Sequence, residues 1–235
     1  MRKSDEQISN ENISLFKTSM MSKIFFLCSI ALLLFSCSSS DDGSPEDQFE
    51  EVESFYPLQV GNSWVYEYFN RFIHFEEFDN AGITETVSIT GTTVLNGETY
   101  YQMETNTIGN DENHPVALPN GLQTSRVRDS LGYLVTDEGR ILFSSEGSMN
   151  YFVESNDLGE VFGNLIEGAQ DISVNAGEFN TIRNDIIEIF LDGSQSEGSD
   201  KVFYSENIGL IIKEFTGDFR QQHRWEKRLM SFVVN

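Results

Sequence analysis

After Tyr56 the chain is interrupted at short intervals by glycine-bearing turn pairs, and the segments between them alternate with the period of a β-strand. In Trp64-Val65-Tyr66-Glu67-Tyr68-Phe69 the large residues Trp64, Tyr66 and Tyr68 share one face, and aromatic types dominate, as a pleated half-buried strand requires. Residues 87–95 and 98–104 flank Asn96-Gly97, a pair that supplies positive φ at both central positions of a type I′ hairpin turn. Further strands are predicted at 125–128, 133–135, 141–144, 151–154, 172–174, 179–191, 201–204, 210–215 and 220–234. Between them lie Leu131-Gly132, Glu138-Gly139, Ala176-Gly177, Asp192-Gly193, Ile208-Gly209 and Thr216-Gly217. No segment sustains a capped helical period, apart from a candidate short turn over 158–166. The expectation is all-β: an antiparallel sandwich or open half-barrel of about 9–12 strands, with little helix beyond a signal peptide.

The N-terminal part obeys different rules. An apolar run over 24–35 is about as long as the core of a secretory signal and well short of the roughly 20 residues that span a bilayer as a helix. It ends in Leu34-Phe35-Ser36-Cys37, followed at once by Ser38-Ser39-Ser40-Asp41-Asp42. The tetrapeptide resembles a lipobox, with large Phe35 as a departure. That resemblance implies lipid (palmitate-type acyl chains) on the Cys37 sulfur and cleavage before Cys37. Several chains hold a protein on a membrane far more firmly than one, because each buried methylene contributes about 0.8 kcal/mol. Residues 1–19 mix Arg2, Lys3 and Lys17 with Asp5, Glu6 and Glu11, unlike a short basic leader, so the expected start is Met20 or Met21.

Three regions follow: a signal peptide over 1–36, a lipidated Cys37 with a flexible acidic tether over 37–53, and a single β-domain over 54–235. The tether is Ser, Asp, Glu, Gly and Pro with Phe49 as its one aromatic, too little apolar surface to offset the entropy of ordering. Its Ser-Asp-Asp resembles the acidic export signal of surface-exposed lipoproteins in Bacteroidota, which implies an outer-membrane, outward-facing location. Four of the 15 basic and three of the 38 acidic residues fall within 1–36, leaving 11 against 35 and a formal charge of −24. Such a field disfavours nucleic acid and anionic lipid surfaces. Cys28 lies in the signal and Cys37 is the lipidation site, so the exported domain has no thiol for catalysis, zinc binding or disulfides.

Three motifs carry a family resemblance. Tyr56-Pro57-Leu58-Gln59-Val60-Gly61-Asn62-Ser63-Trp64-Val65-Tyr66, Val174-Asn175-Ala176-Gly177-Glu178-Phe179 and Phe203-Tyr204-Ser205-Glu206-Asn207-Ile208-Gly209-Leu210 occur in the order found in poorly characterised TapB-like lipoproteins. The resemblance implies an antiparallel β-domain, with a curved sheet like that of lipoprotein carriers, and brings no catalytic residue with it. Physically these motifs are structural: Pro57 presets the backbone before the first strand, and Trp64 and Tyr66 offer large aromatic area to a core. An alternative places Trp64, Tyr66, Tyr68 and Phe72 along one wall of a ligand cleft.

Catalytic patterns are sparse. The three histidines, His74, His114 and His223, lack a Gly-x-Ser-x-Gly elbow or a His-Glu-x-x-His context, and His114 before Pro115 reads as a surface loop. Acidic pairs such as Asp41-Asp42, Glu76-Glu77 and Asp137-Glu138 lack the spacing of a calcium loop. The basic group Arg220, Arg224, Lys227 and Arg228 alternates in sign along a strand, with Arg224, Glu226 and Arg228 on one side, which favours cross-strand ion pairing. No cofactor or metal is expected. The sequence points to a lipid-anchored, non-enzymatic envelope module that binds a partner protein, glycan or apolar ligand. Behind it stand a periplasm-facing lipid or lipoprotein carrier and, third, a hydrolase using dispersed carboxylates.

Overall fold

The computed structural model describes residues 55–72, 76–146, 150–216 and 223–235. The chain divides into Met1–Glu50 and Glu51–Asn235, and every described residue lies in the second unit. The signal, Cys37 and tether, and also His74 and Arg220, lie outside the described residues. Among the described residues there is no helix, and none therefore long and apolar enough to cross a membrane.

Twelve strands form one antiparallel sheet. The first half is β1 (Ser63–Asn70), β2 (Asp79–Leu95), β3 (Glu98–Ile108), β4 (Gly121–Ser130), β5 (Tyr133–Thr136) and β6 (Ile141–Ser144). The second is β7 (Tyr151–Ser155), β8 (Gly159–Val174), β9 (Gly177–Phe190), β10 (Asp200–Ser205), β11 (Gly209–Phe215) and β12 (Trp225–Val233). Within each half every strand pairs with its neighbour in sequence. The halves join where β1 pairs with β12, from Ser63 opposite Val233 to Asn70 opposite Trp225. The spatial order therefore runs β6 to β1, then β12 to β7, leaving β6 and β7 as the two edges of a nearly closed barrel.

Local chemistry accounts for the hairpins. Asn96 and Gly97 stand at φ of 53° and 86°, the left-handed pair of a type I′ turn, and join β2 to β3 as expected. Each predicted strand falls on an observed one, with the part of 220–234 before residue 223 outside the described residues. The turn expected over 158–166 is instead the start of sixteen-residue β8. Leu158, Val161, Phe162, Leu165 and Ile166 do recur at helical spacing, but the ladder to β9, from Gly159 opposite Phe190 to Val174 opposite Gly177, outweighs that local pattern.

Three buried clusters fill the inside of the curl. Trp64, Tyr66, Val87, Ile89, Ile211 and Leu229 pack together around the β1–β12 junction. Val127, Leu134 and Phe143 from the first half meet Val202 from the second, with Tyr56 beside them. Tyr68, Ile83 and Ala117 form the third. The second cluster bends the sheet: Phe143 of the edge strand β6 stacks on Tyr204 of β10 at 4.0 Å between centroids, bringing the two halves of the strand order together. Burying one such side chain contributes roughly 1.5–3 kcal/mol.

The edge at β6 is satisfied by a side chain. Asn184 of β9, fully buried, accepts a hydrogen bond from the Ser144 N–H and donates one to the Ser144 carbonyl, both at 2.9 Å. A primary amide offers the donor and acceptor of a peptide group, so it substitutes for a strand neighbour and blunts the edge. The Tyr151 hydroxyl of β7 donates to the same amide oxygen at 2.6 Å. Tyr151 reaches it by lying over Gly163, its ladder partner on β8, where an added Cβ would meet the Tyr151 ring at 2.1 Å.

Gly163→Ala should therefore displace Tyr151 and loosen the β6–β7 region, destabilising by about 1–3 kcal/mol through overpacking. Differential scanning calorimetry should record a fall in Tm of roughly 2–10 °C. Gly91→Ala, where an added Cβ meets nothing within 4 Å, should leave Tm nearly unchanged. Equal melting of the two variants contradicts this account of the edge.

Candidate functional site

A cavity of about 530 Å³ lies inside the curled sheet and reaches the facing edges β6 and β7. Its walls are mostly aliphatic, with Leu142 from β6, Val153 from β7, Ile186 from β9 and Val202 from β10. Tyr204 and Phe215 add aromatic surface, and Pro115 and Val116 approach from the segment joining β3 and β4. Side chains on alternate positions of curled strands point inward, which puts Val202 and Tyr204 of β10 on the same wall.

Charged groups in the walls are, with one exception, already partnered. Arg140 pairs with Glu154 at 3.0 Å. Asp200 accepts the Thr216 N–H at 2.8 Å, and Glu188 accepts from the Asn156 side chain at 2.8 Å. Lys213 is the exception. On β11 it occupies the alternate position between Ile211, buried in the first cluster, and Phe215, which stacks on Tyr68. Its Nζ lies 4.6 Å from the Phe215 ring centre, and it makes no hydrogen bond or ion pair among the described residues. Burial pushes its ammonium below the usual lysine range; Asp200 opposes this, Lys227 and Arg140 add to it, and Glu154 opposes it. Tyr204 likewise has no hydrogen-bond partner for its hydroxyl among the described residues, and burial pushes that hydroxyl's pKa up.

Lys227 stands opposite Lys213 in the β11–β12 register, and its charge is spent. It pairs with Glu85 of β2, a carboxylate only 1% exposed, and sits over the Tyr66 ring at 4.6 Å. Glu85 also accepts the Leu118 N–H at 3.1 Å. Burial pushes the Glu85 carboxyl up, but the Lys227 ammonium, the Leu118 N–H and the Tyr68 hydroxyl outweigh it and hold it below the ordinary value of 4.5. Asn110 fastens the rest of that segment: its side chain donates to the carbonyls of His114, Ala117 and Leu118 and accepts the His114 N–H. His114, read from sequence as part of a surface loop, is half-buried with its ring against Trp225 at 4.1 Å. The segment tucks inward because Asn110 and Glu85 satisfy its backbone there.

The four aromatic residues singled out from sequence lie elsewhere. Trp64 donates to the Ile208 carbonyl at 2.7 Å and Tyr66 to the Leu210 carbonyl at 3.1 Å, both from the first core cluster. Tyr68 is buried in the third and reaches the cavity only through Phe215. Phe72 lies past the end of β1 and is 68% exposed. Lys213 was hidden in sequence within Leu210-Ile211-Ile212-Lys213-Glu214-Phe215. Its one signal is that alternation puts it on the face of Ile211 and Phe215.

Glu214, His223 and Glu226 bring donor atoms within 4.8 Å of one another, a grouping that could hold a cation. Their charges are already balanced. Glu226 pairs with Arg228 and with His223 Nε2 at 2.7 Å, while Glu214 lies 3.4 Å from both Lys201 and His223 Nδ1. A metal ion would have to displace these partners.

No protein-family model matches the chain, and no curated protein matches it. Two solved structures overlap with it: a protein assigned as a lipoprotein from Parabacteroides distasonis (TM-score 0.44, 10% identity) and an assigned exported protein with a YmcC-like fold from Bacteroides fragilis (TM-score 0.46, 8% identity). Each comparison covers 77% of this chain and 99% of the other. Similarity at that level transfers neither protein's properties to this one.

The Glu85–Lys227 pair sets a pH signature. Glu85 has a folded pKa below its unfolded one, so its stabilisation is complete above about pH 4.5 and drains away as pH falls through the folded value. Glu85→Gln leaves a buried ammonium without its counter-charge and should destabilise by about 3–5 kcal/mol at pH 7. Urea denaturation should show that gap narrowing at pH 3. A gap of constant size at both pH values contradicts the assignment.

Proposed function

We propose that this chain is a lipid-anchored envelope lipoprotein whose β-domain is a non-enzymatic binding module, and that its ligand is the apolar part of an amphiphile held inside the curled sheet. The anchor is acylated Cys37, the location is the outer membrane, and the tether displays the domain outward. That address rests on Leu34-Phe35-Ser36-Cys37, the acidic tether and the motifs resembling TapB-like lipoproteins, not on the solved neighbours.

The observation that carries the binding role is the cavity. Its volume of about 530 Å³ falls in the range of ~300–1,000 Å³ typical of small-molecule sites, and its walls combine an aliphatic stretch with polar and charged side chains, as an amphiphile requires. A domain evolved for stability alone gains by filling such space, since unfilled volume forfeits packing contacts. Non-enzymatic binding is supported by the carboxylates of the cavity, Glu154, Glu188 and Asp200, each engaged with a protein partner. The same cavity would serve a periplasm-facing carrier, and protease shaving of whole cells separates the two locations.

In the mature chain, residues 37–235 with Cys37→Ser, the neutral dye N-phenyl-1-naphthylamine should bind with a stoichiometry of one and gain fluorescence. Ile186→Trp, filling the cavity from β9, should weaken that binding at least tenfold with little change in Tm. Unchanged dye binding in the folded variant contradicts the cavity as the site. Intact mass of membrane-extracted wild type should fit residues 37–235 plus acyl chains, and an unacylated mass overturns the anchor.

A further inference from the structure

We infer that the ligand is a single-chain amphiphile with one carboxylate, a fatty acid or close relative, whose headgroup sits on Lys213 while its chain occupies the cavity. This rests on the binding role proposed above and adds the class of ligand.

The argument is how the charged groups around the cavity are bonded. Lys213 and Lys227 occupy facing positions on β11 and β12, and Glu85 is bonded to Lys227. Lys213 is left as the charged group of the cavity wall with no hydrogen bond or ion pair among the described residues, and Asp200 acts on it only through space. Asp200, Glu154 and Arg140, the other charged groups nearest to Lys213, are committed to Thr216 and to each other. An ammonium among apolar walls is costly unless a counter-charge and hydrogen-bond acceptors reach it. A carboxylate supplies both. Burial depresses the basicity of Lys213 with Asp200 opposing, and a carboxylate bonded to it would favour the ammonium further. The Tyr204 hydroxyl, on the neighbouring strand and lining the same cavity, is a second donor with no partner among the described residues.

Charge and size narrow the class further. A phosphate monoester carries about −1.5 to −2 at neutral pH, more than one ammonium can balance, and Asp200 and Glu154 would repel the excess. At about 530 Å³ the cavity is of a size that receives the chain of a single-chain amphiphile. The headgroup position follows from the lining. Lys213 stands at one wall, and Leu142, Val153, Ile186 and Val202 offer the chain an apolar path toward the β6 and β7 edges.

The test is displacement of N-phenyl-1-naphthylamine from the mature Cys37→Ser chain by hexadecanoate, hexadecanol and hexadecyl phosphate, each below its aggregation limit. Hexadecanoate should displace the dye at least tenfold more effectively than the alcohol and more effectively than the phosphate. Lys213→Met should bind the dye as wild type does and respond equally to acid and alcohol, whereas Lys213→Arg should keep the preference. Wild type that treats acid and alcohol alike, or prefers the phosphate, overturns this inference while leaving the binding role intact. So does Lys213→Met that keeps the acid preference. If the dye itself fails to bind wild type, the binding role falls and this inference with it. Should Lys213→Met fail to fold, the acid-to-alcohol ratio in wild type decides alone.

Discussion

The pairing of β1 with β12 is the contact on which everything else depends. Each half of the domain is a simple meander whose strands bond to their sequence neighbours, and either half alone would present two open edges and one uncovered apolar face. Joining the first strand to the last makes one twelve-stranded sheet and sets the side chains of β1, β2, β11 and β12 around a common core. The contact spans almost the full length of the domain in sequence, so its loop-closure entropy is met late. Trp64 and Tyr66 strengthen it, donating across to the Ile208 and Leu210 carbonyls.

Once the sheet is joined at β1 and β12 it must curl, and the two far edges face each other with too little strand to pair. Asn184 answers the exposed backbone of β6, and Tyr151 buttresses Asn184. The space left inside is not uniform. Aromatic and aliphatic side chains fill it around β1, while a polar belt of Glu85, Lys227 and the segment held by Asn110 crosses it. Beyond that belt the packing opens into the cavity, with Lys213 at its wall. The cavity is thus the region where the curl is closed by two short strands, β6 and β7, rather than by a full ladder.

Much of this architecture was written locally. Asn96-Gly97 dictates a hairpin because only residues tolerant of positive φ close a two-residue turn, and Trp64, Tyr66 and Tyr68 dictate an inward face because a strand has period two. Where local pattern failed, a ladder decided: Leu158, Val161, Phe162 and Leu165 have helical spacing, yet the backbone from Gly159 onward belongs to β8 because β9 is there to pair with it. The candidate site was the least legible part. Lys213 carries no mark of function in Ile211-Ile212-Lys213-Glu214, since a lysine in an alternating strand ordinarily faces water. Its significance comes from the register that sets it opposite Lys227 and from Glu85 being bonded to Lys227 alone of the two, facts about three strands that no one segment contains. Trp64, Tyr66 and Tyr68 read as core aromatics, with a ligand wall as the alternative, and their size does make them inner packing near the junction.

The account's central claim is that an apolar chain lies inside the curled sheet. The most direct measurement is photo-crosslinking of the mature chain with a hexadecanoic acid bearing a diazirine near its chain end, followed by peptide mapping. The account predicts adducts confined to inward residues of β6, β7, β9 and β10, lost when unlabelled hexadecanoate competes. Adducts spread over exposed side chains such as Phe72, Leu131 or Leu191 and insensitive to competition would contradict it.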